Sequence, residues 1–261
     1  MIYEVHEGRI ASDLRALIYA DPARNYFICM AAEEGMRAYR DIYVLKYQKR
    51  PALGLFYRKS GNLQVAIDRE LFKLYKGAST HLRSLEEKLS QIPFKEMIVP
   101  ESTFAHLAAF MGETTERQGA KLFKLKGDSE GQIKSDEVVP ILAESLYEVD
   151  ALYKRVFSGS ASLAYMESKL ISGRGIARGI WKDGKLASVA QTDFDNRIIV
   201  GVATAPEYQG RGFAKACVKA ILTDAGGGDV YLQADDLRAI GLYKSLGFEA
   251  FDTVLHVTKS R

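Results

Sequence analysis

The sequence contains few cysteines and prolines and no long apolar run. Among its 261 residues are two cysteines, Cys29 and Cys217, and six prolines. Two cysteines so far apart exclude a disulfide scaffold, and because each lies in an apolar stretch we expect two buried, reduced thiols in a cytoplasmic protein. No segment approaches the roughly 18 apolar residues that a membrane helix needs, so no membrane association is expected.

The chain also carries little net charge. Lys and Arg number 36 against 33 Asp and Glu, which gives a formal charge of +3. So small a surplus gives no expectation of nucleic-acid binding, which requires a strongly basic patch. A hydrophobic fraction of 47% and a charged fraction of 26% are typical of a globular chain and exclude a disordered or collagen-like one. Residues 1–8 show no basic region followed by an apolar one, so no signal peptide is expected.

The longest polar, glycine-bearing segment covers residues 126–137 and predicts a linker. It separates two predicted domains, residues 1–131 and 132–261. In the second, apolar periodicity and an Asp183-Gly184 hairpin signal predict the order β-α-(α)-β-β-β-α-β-α-β, in which the second helix is optional, and hence a mixed sheet with helices on its faces. The predicted fold class is therefore α/β.

The first half is less regular. Its apolar spacing predicts two helices interrupted at Asp21-Pro22, three strands, and a single long helix over residues 71–92. A strand, a helix over residues 104–111 and a last strand follow, as they do at the end of the second half. Either a structural repeat or coincidence explains this weak internal similarity.

One glycine-bearing turn follows the predicted strand over residues 198–204 and precedes a helix. The first backbone N–H groups of a helix have no partner within it, and the helix dipole adds positive charge there. Gly210 and Gly212 remove side chains that would block access to these groups, so the turn is suited to hold a pyrophosphate. A Rossmann turn would need a third glycine where Lys215 stands, and no P-loop pattern occurs. A plain solvent-exposed turn is the alternative.

A second segment predicts a capped helix. Asp236 is a good N-cap, Ala239 and Tyr243 follow on the same helix face, and Gly247 is a plausible C-terminal cap. Taken alone, the segment is typical of an ordinary helix with a buried tyrosine.

Together the two segments resemble a known family. Gln209-x-x-Gly212-x-Ala214 is similar to the [RQ]-x-x-G-x-[GA] pyrophosphate motif of the GNAT N-acetyltransferase superfamily, and Asp236-x-x-Ala239-x-x-Leu242-Tyr243-x-x-x-Gly247-Phe248 resembles its second motif. The resemblance covers roughly residues 132–258. It implies the GNAT acyl-CoA N-acyltransferase fold, and the repeated ending of the first half indicates a second, degenerate GNAT-like domain that lacks the pyrophosphate motif.

The resemblance implies that acetyl-CoA lies between two parallel strands that separate, helped by a β-bulge in the fourth strand. Here the fourth strand is residues 198–204 and the fifth is residues 230–234. Two of the implied contacts have plainer alternatives, since Val202 could be a core valine and Arg211 an exposed arginine. The residues implied in cofactor binding are Val202, Ala203, Thr204, Gln209, Gly210, Arg211, Gly212, Phe213, Ala214, Asp236 and Ala239.

Two positions bear on the chemistry. Tyr243 matches the family's tyrosine near the cofactor sulfur, which implies a general acid for the CoA thiolate, with a purely structural tyrosine as the alternative. Asp236 replaces the family's usual Asn, and an ionised Asp cannot donate a hydrogen bond, so only the capping role carries over with certainty.

The implied reaction is acetyl transfer to the amine of a small molecule or peptide, from a protein that is a monomer or homodimer. Reaching the neutral amine at pH 7 costs about 4–5 kcal/mol, yet no motif identifies a base. Four histidines and two distant cysteines show no zinc spacing, so no metal is expected. The alternatives are an acyltransferase that uses a longer acyl-CoA and a non-catalytic acyl-CoA sensor. The first half is expected to form one wall of the acceptor pocket and to set the choice of substrate.

Overall fold

The computed structural model describes residues 2–5, 12–77, 82–126, 137–157 and 162–259. The chain divides into two compact units, one formed by Met1–Leu122 with Asp252–Arg261 and the other by Phe123–Phe251. The first division falls close to the predicted linker. The second division assigns Asp252–Arg261, most of which lies in the last strand, to the first unit. The predicted domains, residues 1–131 and 132–261, stay a prediction.

Strands and helices alternate along the described residues. The strands are β1 (Ile2–Val5), β2 (Tyr39–Tyr47), β3 (Arg50–Arg58), β4 (Asn62–Ile67), β5 (Glu96–Pro100), β6 (Thr114–Leu125), β7 (Val139–Pro140), β8 (Ala177–Lys182), β9 (Lys185–Asp193), β10 (Ile198–Thr204), β11 (Val230–Ala234) and β12 (Glu249–Lys259). The helices are α1 (Ser12–Tyr19), α2 (Tyr26–Glu33), α3 (Arg69–Gly77), α4 (Leu82–Gln91), α5 (Glu101–Leu107), α6 (Leu146–Val156), α7 (Leu163–Ile171), α8 (Phe213–Asp224) and α9 (Leu237–Lys244).

In the first unit the strand order is β1, β2, β3, β4, β5 and β12. β4 and β5 run parallel, and the other neighbours are antiparallel. β12 joins through a register that places Leu255 opposite Val99, and both side chains are buried in the core of the unit. This long-range pairing explains why the end of the chain belongs to the first unit.

Asp252 ties the end of the chain to the first unit by charge. Its side chain is 3% exposed and accepts a hydrogen bond from Arg24 Nε at 2.6 Å. The backbone N–H of Ser102, at the start of α5, donates to its other carboxylate oxygen at 3.2 Å. A buried carboxylate needs such partners because water no longer solvates it.

In the second unit the strand order is the end of β6 (from Phe123 on), β11, β10, β9, β8 and β7, while the earlier residues of β6 belong to the first unit. β10 and β11 run parallel, whereas β7 to β10 form an antiparallel meander. Asp183 and Gly184 connect β8 to β9 with φ values of +50° and +71°. Two positive φ values are those of a type I′ turn, and the predicted hairpin is confirmed.

The predicted order of elements in the second half is confirmed from β7 to β12. β1 to β6 repeat that order with one extra helix. The described residues form two helices, α3 and α4, where a single helix over residues 71–92 is predicted. Residues 78–81 between them lie outside the described part of the chain, so the single helix stays a prediction. Ala78 and Ser79, part of the segment before α4, lie outside the described residues.

Cys29 and Cys217 are both buried and neither forms a disulfide, as expected. Burial raises the pKa of the Cys217 thiol to about 12. Among the described residues, none of the helices combines the length and the apolar character that crossing a bilayer requires.

Candidate functional site

β10 and β11 separate shortly after they begin. Parallel pairing joins Ile198 to Tyr231 and Ile199 to Leu232, and no further pair is formed between the two strands. On its other edge β10 pairs with β9 throughout, but Val200 and Ala203 lie opposite Gln191 and Val189. Two β10 residues therefore face one β9 residue, which is a β-bulge. The bulge implied for the fourth strand is present.

Gly201 lies in the bulge, and its conformation explains why it is glycine. Its φ is +55°, a left-handed value that residues with a Cβ rarely adopt. The hydroxyl of Tyr153 on α6 donates a hydrogen bond to Gly201 O at 2.7 Å. A Cβ at position 201 would lie 2.0 Å from that hydroxyl oxygen, so both the backbone angle and the space require glycine.

The residues that follow Gly201 face opposite sides of the sheet. Val202 is partly buried against the core beneath α8 and α9, whereas Ala203 is buried in the core beneath α6. The Ser188 hydroxyl, from β9, donates to Ala203 O at 3.0 Å and lies 2.9 Å from Thr204 Oγ1. This end of β10 is thereby held to β9, while its opposite edge lacks pairing with β11.

The turn between β10 and α8 leaves its amides accessible. Gly210 and Gly212 have φ values of +77° and +80°, and a Cβ at either would meet no heavy atom within 4 Å. No side chain caps α8, and Ala216 N–H makes the first-turn hydrogen bond to Gly212 O. The N–H groups of the preceding helical residues have no acceptor within the helix. Open space, two left-handed glycines and unpaired amides fit a pyrophosphate.

Side chains around this turn hold the turn itself. Gln209 Nε2 donates to Thr204 O at 3.4 Å. Arg211 donates to Glu207 O at 3.2 Å, and its guanidinium lies 5.2 Å from the centroid of the Tyr208 ring. The sequence left open whether Arg211 contacts phosphate. In this structure its guanidinium contacts its own turn.

Glu207 lies at the outer edge of the turn. Its carboxylate accepts from Arg155 of α6 at 2.8 Å and is half exposed. Its own backbone N–H and Arg155 lower the pKa of Glu207, so the group is anionic at neutral pH. Because exposed ion pairs contribute little, we assign this pair a local role in orienting the turn.

α9 begins and ends as predicted. Asp236 Oδ1 accepts from the N–H groups of Arg238 and Ala239, each at 2.9 Å, which confirms the N-cap. At the other end Gly247 has a φ of +88° and donates to Lys244 O at 3.0 Å. Phe248 N–H reaches back to the carbonyl of α9 that lies five residues earlier, at 3.1 Å, which completes a Schellman motif.

Tyr243 is buried in the core of the second unit. The residue is 5% exposed, and its ring packs against Phe123 of β6 and Phe248, with centroid distances of 6.5 and 5.9 Å. Burial raises the pKa of Tyr243 to about 12, so the phenol keeps its proton throughout the neutral range. Its hydroxyl makes no hydrogen bond to the described residues.

The two aspartates that flank the turn between β9 and β10 have cationic partners. Asp193 is buried, with Lys169 Nζ at 3.2 Å and the Tyr165 hydroxyl at 2.6 Å. Asp195 is exposed, with Arg174 at 3.2 Å, and His256 belongs to the first unit. Among the described residues, no group of three or more His, Cys, Asp or Glu side chains could hold a metal ion.

Comparison with protein families identifies the second unit. The model of the acetyltransferase (GNAT) family matches residues 143–248. These residues form a GNAT domain. The match begins just before α6 and ends with the Schellman motif, so it includes the bulge, the glycine turn and Tyr243. GNAT proteins take an acyl-CoA as cosubstrate, and the open amides of the glycine turn fit its pyrophosphate.

Solved structures extend the GNAT fold to the whole chain. A GNAT-family acetyltransferase from Colwellia psychrerythraea is 14% identical, with a TM-score of 0.70 and full coverage of both chains. A tandem GNAT protein from the clavulanic acid biosynthesis pathway is 12% identical, with a TM-score of 0.62, covering 99% of this chain and 98% of its own. A GCN5-related N-acetyltransferase from Sphaerobacter thermophilus is 14% identical, with a TM-score of 0.55, covering 99% and 95%. A comparison of the sequence with curated proteins found no match. The repeat expected in the first half is confirmed as a fold.

Two residues that stabilise this GNAT domain are not identified by the analysis of the sequence. Tyr153 contacts the bulge from a helix that ends more than forty residues earlier, and Phe123 comes from the first half of the chain. Gly201, inside a predicted strand, is the signal that could have located the bulge, since a glycine there weakens a strand unless its conformation is needed.

Proposed function

We propose that the GNAT domain transfers an acetyl group from acetyl-CoA to the amine of a small-molecule or peptide acceptor in the cytoplasm. The observation that carries this proposal is the open amide turn at Gly210 and Gly212, placed directly after a strand that parts from its parallel neighbour. The turn then offers backbone amides to the pyrophosphate of acetyl-CoA, and the unpaired edge of β10, which borders the gap between the two strands, offers backbone groups to the pantetheine arm.

In this proposal the amides from Gln209 to Ala214 hold the pyrophosphate. The edge of β10 over Val202, Ala203 and Thr204 pairs with the pantetheine arm as an added strand would. Support comes from the absence of β11 pairing beyond Ile199. Asp236 caps α9 and, with Ala239, shapes the side of the gap rather than donating to the cofactor, because its carboxylate already accepts two backbone N–H groups.

We assign Tyr243 the role of general acid. Its phenol retains a proton at neutral pH and has no competing acceptor among the described residues. A thiolate with a pKa near 8.5 is a fair leaving group, and the phenol is a weaker acid than the thiol it would form. Its contribution therefore belongs at the lower end of the usual range of about 10² to 10⁴.

The acceptor attacks as a neutral amine. Asp193 and Asp195 already have cationic partners, so we propose that the amine binds in its neutral form or loses its proton through water. The first unit has no glycine turn after β4, where Asp68 leads into α3, and we propose that it binds no acyl-CoA.

A thiol-release assay tests the proposal. Acetyl-CoA is incubated with the full chain and a panel of amino acids, polyamines, aminoglycosides and peptides, and free CoA is measured. Amine-dependent release is expected for one class. If calorimetry detects acetyl-CoA binding but no amine causes release of CoA, the non-catalytic acyl-CoA sensor is favoured instead. If CoA is released faster from longer acyl-CoA esters, the protein is an acyltransferase for a longer acyl group. Absence of binding to any CoA thioester contradicts the proposal.

A further inference from the structure

Tyr153 connects α6 to the bulge in β10. The residue is 4% exposed and lies in the same core cluster as Ala203 and Val149. The ring contacts Phe157 at a centroid distance of 5.4 Å, and the hydroxyl donates to Gly201 O at 2.7 Å. A packed ring with a short, directed hydrogen bond holds its acceptor in one place.

The bulge makes this bond important. An extra residue in a bulged strand is left out of the regular ladder, so its carbonyl needs another partner when it is buried. Tyr153 supplies that partner for Gly201. A buried carbonyl left unpaired would favour rotation of its peptide toward water or another donor.

The bond also orients the next amide. A trans peptide is planar and carries its C=O and N–H in opposite directions, and the described residues contain no cis peptide. The hydroxyl that holds Gly201 O therefore sets the direction of Val202 N–H. Gly201 itself has the left-handed φ that could change if the carbonyl were released.

We propose that Tyr153 is a positioning residue for acyl transfer: its hydroxyl fixes the peptide between Gly201 and Val202 and so keeps the free edge of β10 in the conformation that receives the thioester end of acetyl-CoA. The inference rests on the proposed function, in which the backbone at Val202 pairs with the pantetheine arm. Tyr153 does not itself touch the reacting atoms.

The first test needs no cosubstrate. Amide hydrogen exchange is measured over residues 198–204 in the free wild-type protein and in Tyr153→Phe, which keeps the ring. We expect exchange at residues 201–203 to accelerate about tenfold or more, as loss of one partly buried hydrogen bond permits. The matched control is Tyr57→Phe, since Tyr57 is a buried tyrosine of the first unit whose hydroxyl donates to Pro93 O at 3.2 Å. That variant should leave exchange at residues 201–203 unchanged.

The second test separates positioning from binding. In Tyr153→Phe we expect kcat to fall about tenfold. The Kd for free CoA, measured by calorimetry, should stay within about twofold of the wild-type value, because the glycine turn is unchanged. Gly201→Ala displaces the same hydroxyl and should give a similar loss, and it serves as the second variant if Tyr153→Phe does not fold. Because both changes act on one peptide, the double variant should lose less than the product of the two single losses.

Unchanged exchange in Tyr153→Phe overturns the assignment, and so does faster exchange with unchanged kcat. Losses that multiply in the double variant also overturn it. If the wild-type protein releases no thiol with any amine, the proposed function fails, while the exchange measurement still decides whether Tyr153 holds the peptide.

Discussion

The ring of Phe123 packs against the ring of Tyr243, with 6.5 Å between their centroids. Phe123 is fully buried in the core of the second unit, although it precedes the polar segment that divides the sequence. Removal of a buried phenylalanine ring costs about 3–5 kcal/mol, through lost burial and the cavity left behind. We expect Phe123→Ala to lower the free energy of unfolding by that amount in urea denaturation.

The control for this change is Phe27→Ala, because Phe27 is 43% exposed on α2. It should cost less than about 1 kcal/mol. Equal losses of unfolding free energy in the two variants would show that Phe123 contributes no more to stability than an exposed phenylalanine. A fragment beginning at residue 132 would also lack Phe123, so we expect it to be less stable than the full chain.

Replacement of Tyr243 by phenylalanine tests its role as an acid. The ring contacts with Phe123 and Phe248 are retained, so the fold and acetyl-CoA binding should be preserved. We expect kcat to fall about 10²-fold with the KM for acetyl-CoA nearly unchanged. The control is Tyr147→Phe, at an exposed tyrosine of α6, which should turn over at the wild-type rate. Full activity in Tyr243→Phe would make the residue structural.

The pH dependence of turnover follows from the same residue. Burial raises the pKa of Tyr243 to about 12, and the acid form is the one required, so its contribution is lost only as the pH rises toward that value. We expect kcat to show no fall up to about pH 10 that comes from Tyr243. A descending limb between about pH 8 and 9 in the wild type that disappears in Tyr243→Phe would contradict this.

Gly212 tests the pyrophosphate turn. An aspartate there places a negative charge at the amides that we propose for the pyrophosphate, and charges about 4 Å apart repel by about 4 kcal/mol near a protein surface. We expect Gly212→Asp to weaken acetyl-CoA binding by at least about 100-fold in calorimetry.

Gly226→Asp is the matched control for this change. Gly226 has a φ of +71° and equally open space, but it follows the far end of α8. Both variants introduce a charge and a left-handed aspartate, so their effects on unfolding should be alike while binding is affected only at Gly212. Equal binding by the two variants would remove the pyrophosphate assignment.

Asp252 provides a stability prediction for the first unit. Breaking a buried ion pair by removing one partner costs about 3–5 kcal/mol, and we expect Asp252→Asn, which keeps some hydrogen bonds, to lose about 3 kcal/mol. Burial alone would raise the pKa of Asp252, but the hydrogen bonds from Ser102 and Arg24 outweigh it and lower the pKa.

A lowered pKa fixes the sign of the pH effect. The stabilisation is complete above the unfolded pKa of about 4 and is lost as the pH falls through the lower folded value. The difference in unfolding free energy between wild type and Asp252→Asn should therefore shrink below about pH 4. Asp195→Asn, at an exposed ion pair, should change little at any pH. A difference that stays constant down to pH 2 would contradict the linkage.

Local signals in the sequence were enough for much of the second unit. The Asp183-Gly184 turn, the Asp236 cap and the Gly247 cap each depend on a few adjacent residues, and all three occur where predicted. The glycine turn before α8 was identifiable for the same reason, because spacing within ten residues determines which amides a helix leaves unpaired.

Long-range pairing decided the rest. Periodicity predicts that β12 is a strand, but only its register with β5 places Leu255 in the core of the first unit. The partners of Tyr243 and Gly201, Phe123 and Tyr153, are distant in sequence and meet only when helices and strands pack. Apolar patterning records which face of an element is buried and carries no record of its partner, so these contacts required the tertiary structure.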